Sequence, residues 1–278
     1  MRGPLHELPV PSPRRRITWL PALVLAIVAA TSLLAPLLAP HDPYSTFEGQ
    51  AIMPPSRQHL LGTDSLGRDV LSRTLWGGRQ TLLTALMATA IAVIPGLCMG
   101  IVAGFAGGWV DRLILALLDV LLAFPGLLLA MAIIAATGTG QLQIAAAVGI
   151  TGLPAYARMI RAAVREIRNA PFVEAARAVG ASHLRILVYH LLPNIRPIAL
   201  SFAGVSLSWA VLNGAALAFL GLGGDPATPD WGIMLNEGRA VFRIAPWVAL
   251  PPGLAITVTI FAVNRLADTF EEKARSPR

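Results

Sequence analysis

The chain has little of the charge that a water-soluble protein needs. Only 13% of its 278 residues are charged and 6% are aromatic, whereas 55% are hydrophobic. A soluble domain carries roughly 25% charged residues, so about half of the usual charged surface is missing. This composition excludes an ordinary cytosolic enzyme, and the abundance of apolar residues excludes a disordered chain. The excess apolar surface is therefore expected to face lipid.

Lysine and cysteine are nearly absent. Lys273 is the only lysine and lies between Glu272 and Ala274, so the chain cannot contain the G-x-x-x-x-G-K-[ST] loop that holds the phosphates of ATP. Neither H-E-x-x-H nor G-x-S-x-G occurs, which excludes the common zinc-protease and serine-hydrolase signatures. The only cysteine, Cys98, cannot form a disulfide within the chain. We predict no catalytic residue, no cofactor and no metal site, and hence no enzyme.

Long apolar runs take the place of charge. A helix needs about 20 mostly apolar residues to cross the hydrocarbon core of a bilayer. The run at 17–39 is interpreted as a retained anchor, because the apolar part of a cleaved signal peptide has only about 7–15 residues. The sequence predicts an all-α polytopic membrane protein with six transmembrane helices, at 17–39, 82–106, 113–136, 142–157, 198–222 and 247–263.

The basic residues predict the orientation of these helices. The net charge is +7, and a basic chain invites a nucleic-acid interpretation. With six spans, however, sixteen of the 22 basic residues fall on the side of the two termini and six on the other side. Basic residues concentrate in cytoplasmic segments, so both termini are predicted to be cytoplasmic. No nucleic-acid partner is expected.

The predicted spans divide the chain into two tails, one transmembrane domain and its loops. Cytoplasmic tails are expected at 1–16 and 271–278, on either side of a transmembrane domain at 17–270. Within that domain we predict outer loops at 40–79 and 223–246 and a cytoplasmic segment at 158–197. The first outer loop contains three charges in six residues, which either form a solvated face or have a functional role: Asp64, Arg68 and Asp69.

The cytoplasmic segment has a pattern that predicts a first short amphipathic helix. Pro171 suits a helix start, and Gly180 is typical of a helix end in the left-handed conformation. Four residues between them fall on one apolar face, at Phe172, Ala175, Ala176 and Val179.

A second short helix is predicted directly after the first. Ser182 can cap its start, and Pro193 is expected to end it. Its apolar face is formed by Leu184, Leu187, Val188, Leu191 and Leu192. Two such helices on the cytoplasmic side either lie on lipid headgroups or dock a partner, and the sequence leaves both interpretations open.

Several features inside the predicted spans bear on packing and transport. Three glycines recur every four residues, which places them on one face and permits close approach of another helix: Gly96, Gly100 and Gly104. Asp119 is the only clear ionisable residue within a span, with either a structural role or a role in a transport path. Two prolines are expected to kink their helices, Pro95 and Pro125.

The cytoplasmic segment also resembles a known motif. Glu174-Ala175-Ala176, Gly180 and Leu192-Pro193 are similar to the EAA motif of permease subunits in ATP-binding-cassette importers. His190 stands where that motif usually has isoleucine, and the ending from His190 to Asn194 resembles the peptide-type branch.

Three further motifs resemble the dipeptide, oligopeptide and nickel permeases. They are Leu61-Gly62-Thr63-Asp64 with Gly67-Arg68-Asp69 and Ser72-Arg73, the run from Gly107 to Arg112 leading to Asp119 and Phe124-Pro125, and the run from Phe219 to Gly223 with Trp231-Gly232. Together the motifs extend the resemblance over residues 17–270. Ala116 departs from the pattern, since the family often has arginine there, and Asp119 is expected to lack that partner.

The resemblance implies a transmembrane permease subunit of an importer in the bacterial inner membrane. It further implies a heterodimer with a second permease subunit, two separate ATP-binding-cassette ATPase subunits and an extracytoplasmic substrate-binding protein. The implied ATPase-coupling interface consists of Glu174, Ala175, Ala176, Gly180, Leu192 and Pro193. The implied outer-loop motif consists of Asp64, Gly67, Arg68 and Asp69.

Three transport functions are open at this point. Di- or oligopeptides are the expected substrates. Chelated nickel is the alternative within the family, although the five histidines all fall outside the apolar spans. A proton-coupled secondary transporter is the alternative of another class, and such a carrier usually has several ionisable residues within its spans.

Overall fold

The computed structural model describes residues 19–275, with side chains described for 19–270. The predicted tail at 1–16, the first two residues of the first predicted span and residues 276–278 lie outside that range. The described residues form helices and turns with no extended strand, which confirms the all-α prediction. The helices are α1 (Trp19–Leu33), α2 (Ala35–Leu38), α3 (Val70–Ala106), α4 (Gly108–Leu122), α5 (Gly126–Thr137), α6 (Gln141–Arg168), α7 (Pro171–Ala178), α8 (His183–Leu222), α9 (Trp231–Val241) and α10 (Leu250–Arg275).

Three helices are long and apolar enough to cross a membrane, namely α3, α8 and α10 with the short 3-10 turn before it. α4 and α5 qualify as a fourth span only when they are taken together, and α1 is apolar but has only 15 described residues. α6 has 28 residues, but polar residues at its start and arginines in its second half make it less apolar. Helices therefore occupy all six predicted positions, and the count of six crossings stays a prediction.

The loop between the first two predicted spans is shorter than expected. α3 begins at Val70, so its first turns occupy the end of the predicted outer loop at 40–79. The side chain of Asp69 causes this early start, because it accepts a hydrogen bond from the backbone N–H of Ser72 at 2.8 Å and so caps the helix.

The third predicted span, 113–136, is two helices rather than one. α4 ends at Leu122, α5 begins at Gly126, and the two are bent by 82°. Pro125 explains the break, because it lacks an N–H and disfavours helical backbone at Phe124. The kink predicted at Pro125 is confirmed, and it is a full break between two helices. A single crossing formed by the two helices together stays a prediction. Pro95 lies inside α3 without interrupting it.

α3 packs along α6 through the face that carries the three regularly spaced glycines. A Cβ atom at Gly100 would lie 2.6 Å from the carbonyl oxygen of Ala157, and one at Gly104 would lie 2.8 Å from the Val164 side chain. Gly96 approaches α6 in the same way, one turn earlier. The close helix approach predicted from the four-residue repeat is confirmed.

Two apolar clusters lie beside the two ends of α3. The first includes Val70 at the start of α3 and brings α8, α9 and α10 against it, with Met234 and Val248 buried. The second includes Ile160 and Val164 of α6 and packs the segment that follows α6 against both α3 and α6. α3 and α6 therefore support the loop that precedes α3 at one end and the segment that follows α6 at the other.

The close contact at Gly100 predicts that alanine destabilises the subunit there but not at Gly214. Gly100→Ala places a Cβ against fixed backbone of α6 and is expected to destabilise the subunit by about 1–3 kcal/mol. Gly214→Ala is the matched control, since its nearest neighbours would lie at ordinary distances of 3.8 and 3.9 Å. Alanine improves helix propensity in both variants, so the difference between their thermal unfolding midpoints isolates the clash. Equal midpoints would contradict the packing described here.

Candidate functional site

The two polar segments singled out in the sequence lie at opposite ends of α3. Arg73 near its start contacts the preceding loop, and Phe105 near its end packs edge-on against the His183 ring with 5.8 Å between centroids. With 37 residues, α3 is about 55 Å long. We refer to residues 171–195 as the EAA segment, and to Asp64, Arg68, Arg73 and Glu237 as the charged cluster.

The EAA segment turns sharply at Gly180. α7 ends in a Schellman motif, in which the N–H of Gly180 donates to the carbonyl of Arg177 at 2.9 Å and the N–H of Ala181 donates to the carbonyl of Ala176 at 3.0 Å. This motif requires a positive φ at Gly180, which is +84°. The side chain of Ser182 then accepts from the backbone N–H of Arg185 at 3.3 Å and caps α8. The predicted turn and cap are confirmed.

The second helix of the EAA segment does not end at Pro193 as predicted. It continues into the fifth predicted span as α8, and residues 186–191 form a stretch of π-helix. The N–H of Leu192 donates to the carbonyl of Leu187, five residues back. The widened turn explains the continuity, because it leaves room for a proline ring that would clash in an ordinary α-helical turn.

The buried face of the EAA segment agrees only in part with the predicted apolar faces, which included Leu191 but not Val173 or Ile186. Val173, Ile186 and Leu191 pack into the second apolar cluster, each essentially inaccessible. Val179 is 85% exposed and Leu184 is 70% exposed, although both belonged to the predicted apolar faces. The segment therefore has apolar residues on two sides. One side holds it on α3 and α6, and the other is uncovered in this chain.

The residues implied by the EAA resemblance lie mainly on the uncovered side. Glu174, Ala175, Gly180 and Pro193 are exposed, whereas Ala176 and Leu192 are half-buried. Tyr189 is exposed as well and adds to this surface. Among the described residues the carboxylate of Glu174 makes no ion pair or hydrogen bond. A small-residue patch flanked by apolar side chains and a free carboxylate is suited to docking another protein surface.

At the other end of α3, the residues of the outer-loop motif are buried. Asp64 accepts hydrogen bonds from the backbone N–H of Arg68 at 2.9 Å and from its Nε at 2.7 Å, and the side chains of both residues are almost inaccessible. Gly67 lies in the same turn with φ +76°, and a Cβ there would lie 2.6 Å from the carbonyl oxygen of Phe47. The solvated-face interpretation of these charges was wrong.

The charged cluster is completed by residues that sequence reasoning missed. Glu237 of α9 accepts from Arg68 at 2.9 Å and from Arg73 at 3.2 Å, and the Nε of Arg73 lies 3.5 Å from Asp64. Arg73 appeared in a motif without being assigned to the site, and nothing in the sequence near Glu237 marks it as its partner. Two carboxylates thus neutralise two guanidinium groups and join the loop, α3 and α9.

A second buried carboxylate fixes α9 beside α3. Asp230 caps α9 by accepting from the backbone N–H of Gly232 at 2.8 Å, and it also accepts from the Thr81 hydroxyl of α3 at 2.7 Å. Burial raises the pKa of the Asp230 carboxyl above its ordinary value, although these hydrogen bonds oppose the shift. α9 is therefore held to α3 at both ends of its first two turns.

Two acidic residues of α4, Asp111 and Asp119, form ion pairs with arginines of α6. Asp111 accepts two hydrogen bonds from the Arg161 guanidinium, one of them at 2.6 Å from Nη2. Asp119, which was expected to lack a partner because Ala116 replaces the arginine of the family pattern, pairs with Arg158. The partner comes from α6 instead of from α4 itself, and both side chains of this pair are largely exposed in the isolated chain.

These features define a helical membrane protein that has a segment with an exposed apolar side at one end of α3, an ion-paired loop at the other end and no ATP-binding loop in its sequence. Residues 96–276, about two thirds of the chain, match the family described as "Binding-protein-dependent transport system inner membrane component". The chain belongs to this family. It is a permease subunit of an ATP-binding-cassette importer, and it works with a partner permease, an ATPase and a binding protein. The proton-coupled carrier is thereby set aside.

Curated relatives cover most of the chain. The di/tripeptide transport system permease protein DppC of Pseudomonas aeruginosa is 42% identical over 88% of this chain and 83% of its own length. The glutathione transport system permease protein GsiD of Escherichia coli O6:K15:H31 is 40% identical over 96% of this chain and 89% of its own length.

Solved structures share the fold. A chain of the MetNI methionine ABC transporter in an inward-facing conformation aligns with a TM-score of 0.63, over 74% of this chain and 97% of that chain. At 20% identity, this likeness concerns the fold alone.

The charged cluster predicts that Glu237→Ala destabilises the subunit. The change leaves the two buried guanidinium groups to share the single carboxylate of Asp64, and we expect the free energy of unfolding to fall by about 3 kcal/mol. Glu48→Ala is the control, because Glu48 is exposed and has no ion pair among the described residues. Thermal unfolding of the purified complex measures both, and a Glu237→Ala midpoint equal to that of Glu48→Ala would count against a supporting role.

Proposed function

We propose that this chain forms half of the translocation path of an importer for di- or oligopeptides. The observation that carries the proposal is the pair of relatives at about 40% identity, both of which are permeases for small peptides and cover 88–96% of the chain. Chelated nickel is the second candidate. It is disfavoured because histidines, which nickel sites favour, are absent from the apolar spans.

A cavity of about 300 Å³ between α3, α6 and α8 supports this substrate class. It lies beside the break between α4 and α5, and its wall contains no charged residue. The polar groups that it offers are hydroxyls and one indole, from Thr89, Thr151, Tyr156, Ser206 and Trp209. We assign this surface to the permease's share of the path. A wall without charged residues does not select for one sign of net charge, and small peptides differ in theirs.

The orientation proposed for the chain places the EAA segment in the cytoplasm and the charged cluster outside, in a bacterial inner membrane. The distribution of basic residues supports it, as does the position of the two polar segments at opposite ends of α3. Both termini would then be cytoplasmic.

The proposed assembly is a heterodimer with a second permease, two ATPase subunits on the cytoplasmic side and a binding protein outside. Under this proposal the exposed side of the EAA segment contacts an ATPase subunit. Movement of the ATPases would then reach the spans through α8, since α8 continues without interruption from the EAA segment into the fifth predicted span.

Transport by the complete complex tests the substrate proposal. Proteoliposomes that contain both permeases, the ATPases and the binding protein should accumulate a labelled tripeptide only when ATP is enclosed. Glutathione or an unlabelled dipeptide should compete, and a nickel chelate should not. Omitting the binding protein is the control and should abolish uptake. ATP-dependent nickel uptake that peptides do not inhibit would overturn the assignment.

The turn at Gly180 gives a test of ATPase coupling. A Cβ at Gly180 would meet no atom within 4 Å, so a substitution acts only through its positive φ. Gly180→Val should cost roughly 1–2 kcal/mol in that conformation and redirect α7. Association with the ATPases, or substrate-stimulated hydrolysis, should therefore fall. Gly180→Asn should retain both, because asparagine tolerates the left-handed region.

Two measurements decide this prediction. Co-purification of the ATPase with each variant reports docking, and hydrolysis in nanodiscs reports coupling, at matched amounts of permease in the membrane. If Gly180→Val behaves like wild type in both measurements, the EAA segment lies on lipid headgroups instead.

A further inference from the structure

We propose that His41, His59 and Asp69 bind a divalent transition-metal ion of the zinc class beside the start of α3. The three residues come from separate stretches: His41 follows α2, His59 lies in the loop and Asp69 caps α3. One ligand atom from each lies within 4.8 Å of the others. Two imidazoles and a carboxylate form a ligand set that zinc accepts. The sequence predicted no metal site because these residues are 18 and 10 positions apart and follow no metal-binding motif.

The distances suit a metal ion. Oδ1 of Asp69 lies 2.9 Å from Nδ1 of His59 and 3.6 Å from Nδ1 of His41. Ligand atoms about 2.1 Å from a tetrahedral zinc ion lie about 3.4 Å from one another, and the two observed distances bracket this value. The other oxygen of Asp69 is occupied, since Oδ2 accepts from the backbone N–H and hydroxyl of Ser72. Oδ1 is therefore the oxygen directed at both imidazoles.

The hydrogen bonds around these residues leave one candidate ligand atom without a partner. Both ring nitrogens of His59 lie 2.9 Å from an oxygen, Nε2 from Oε1 of Gln50 and Nδ1 from Oδ1 of Asp69. Nδ1 of His41 is buried and has no hydrogen-bond partner among the described residues. A cation between the two Nδ1 atoms and Oδ1 of Asp69 would contact all three.

The residues around the three proposed ligands resemble the surroundings of metal sites in other proteins. Gln50 orients the His59 ring through the nitrogen that does not face the site, as partners of metal-bound histidines do. The Phe47 ring packs edge-on against both imidazoles, with centroids 5.3 Å from His41 and 5.2 Å from His59. His59 and Asp69 are buried, while the His41 side chain is 23% exposed and offers a route of entry.

Metal content of the purified transporter tests the site. The complex, carrying an affinity tag without histidines, is dialysed against ZnCl₂ and then against metal-free buffer, and its zinc is counted by mass spectrometry. Wild type should hold one zinc ion more than His41→Gln. Gln50→Ala should bind zinc about 10–100-fold more weakly, because it removes the group that orients His59. Co²⁺ in place of zinc should give the visible absorption of a tetrahedral site in wild type only.

His183→Gln is the matched control, since His183 also packs edge-on against a phenylalanine but lies at the other end of α3. It should keep the full zinc content. His41→Gln removes no side-chain hydrogen bond but loses the edge-on contact with Phe47, so its unfolding midpoint without zinc should lie slightly below that of wild type. Only wild type should gain stability when zinc is added. Equal zinc content in wild type and His41→Gln would overturn the proposal, and so would wild type without zinc. Peptide uptake is measured separately, so failure here leaves the proposed function unaffected.

Discussion

Close contact between α3 and α6 positions both the loop before α3 and the EAA segment of this permease. The contact depends on glycines at which a Cβ would come within about 3 Å of the facing helix. In a bilayer, helices gain little from the hydrophobic effect by associating, so packing of this kind provides much of the attraction. The first turns of α3 extend beyond its contact with α6, and they support the loop. The last turns of α3 support the EAA segment.

The charged cluster shows how the first turns of α3 can hold a loop that has few apolar residues. Burying two arginines is expensive unless every charge is matched, and here Asp64 and Glu237 supply the matching carboxylates. Each carboxylate belongs to a different segment, so the ion pairs are satisfied only when the loop and α9 are both in place. Asp230 adds a hydrogen bond from the Thr81 hydroxyl to the same arrangement. The charged cluster therefore fixes the position of the loop, because a displaced loop would leave a buried charge without its partner.

Local and periodic features could be predicted from the sequence, and contacts between distant segments could not. The glycine repeat, the turn at Gly180 and the break at Pro125 follow from backbone chemistry within a few residues. Glu237 is 169 residues from Arg68, and no local pattern connects them. The buried face of the EAA segment was predicted only in part for a different reason, because the segment has apolar residues on both sides. Periodicity identified Leu191, which is buried, but also Val179, which is exposed, and it missed the buried Val173.

Pro193 and the π-helical stretch before it have a mechanical consequence. A proline normally breaks a helix, and a broken helix bends where it is pushed. Here the widened turn absorbs the ring, so α8 runs on for 40 residues, about 60 Å. A tilt of about 5° imposed at His183 would displace the far end of such a rod by about 5 Å. The same turn carries one residue more than an α-helical turn, so it rotates every side chain beyond it by about 100° relative to the EAA segment. The extra residue therefore does two things at once: it keeps α8 continuous past Pro193, and it sets which side of the helix faces the cavity.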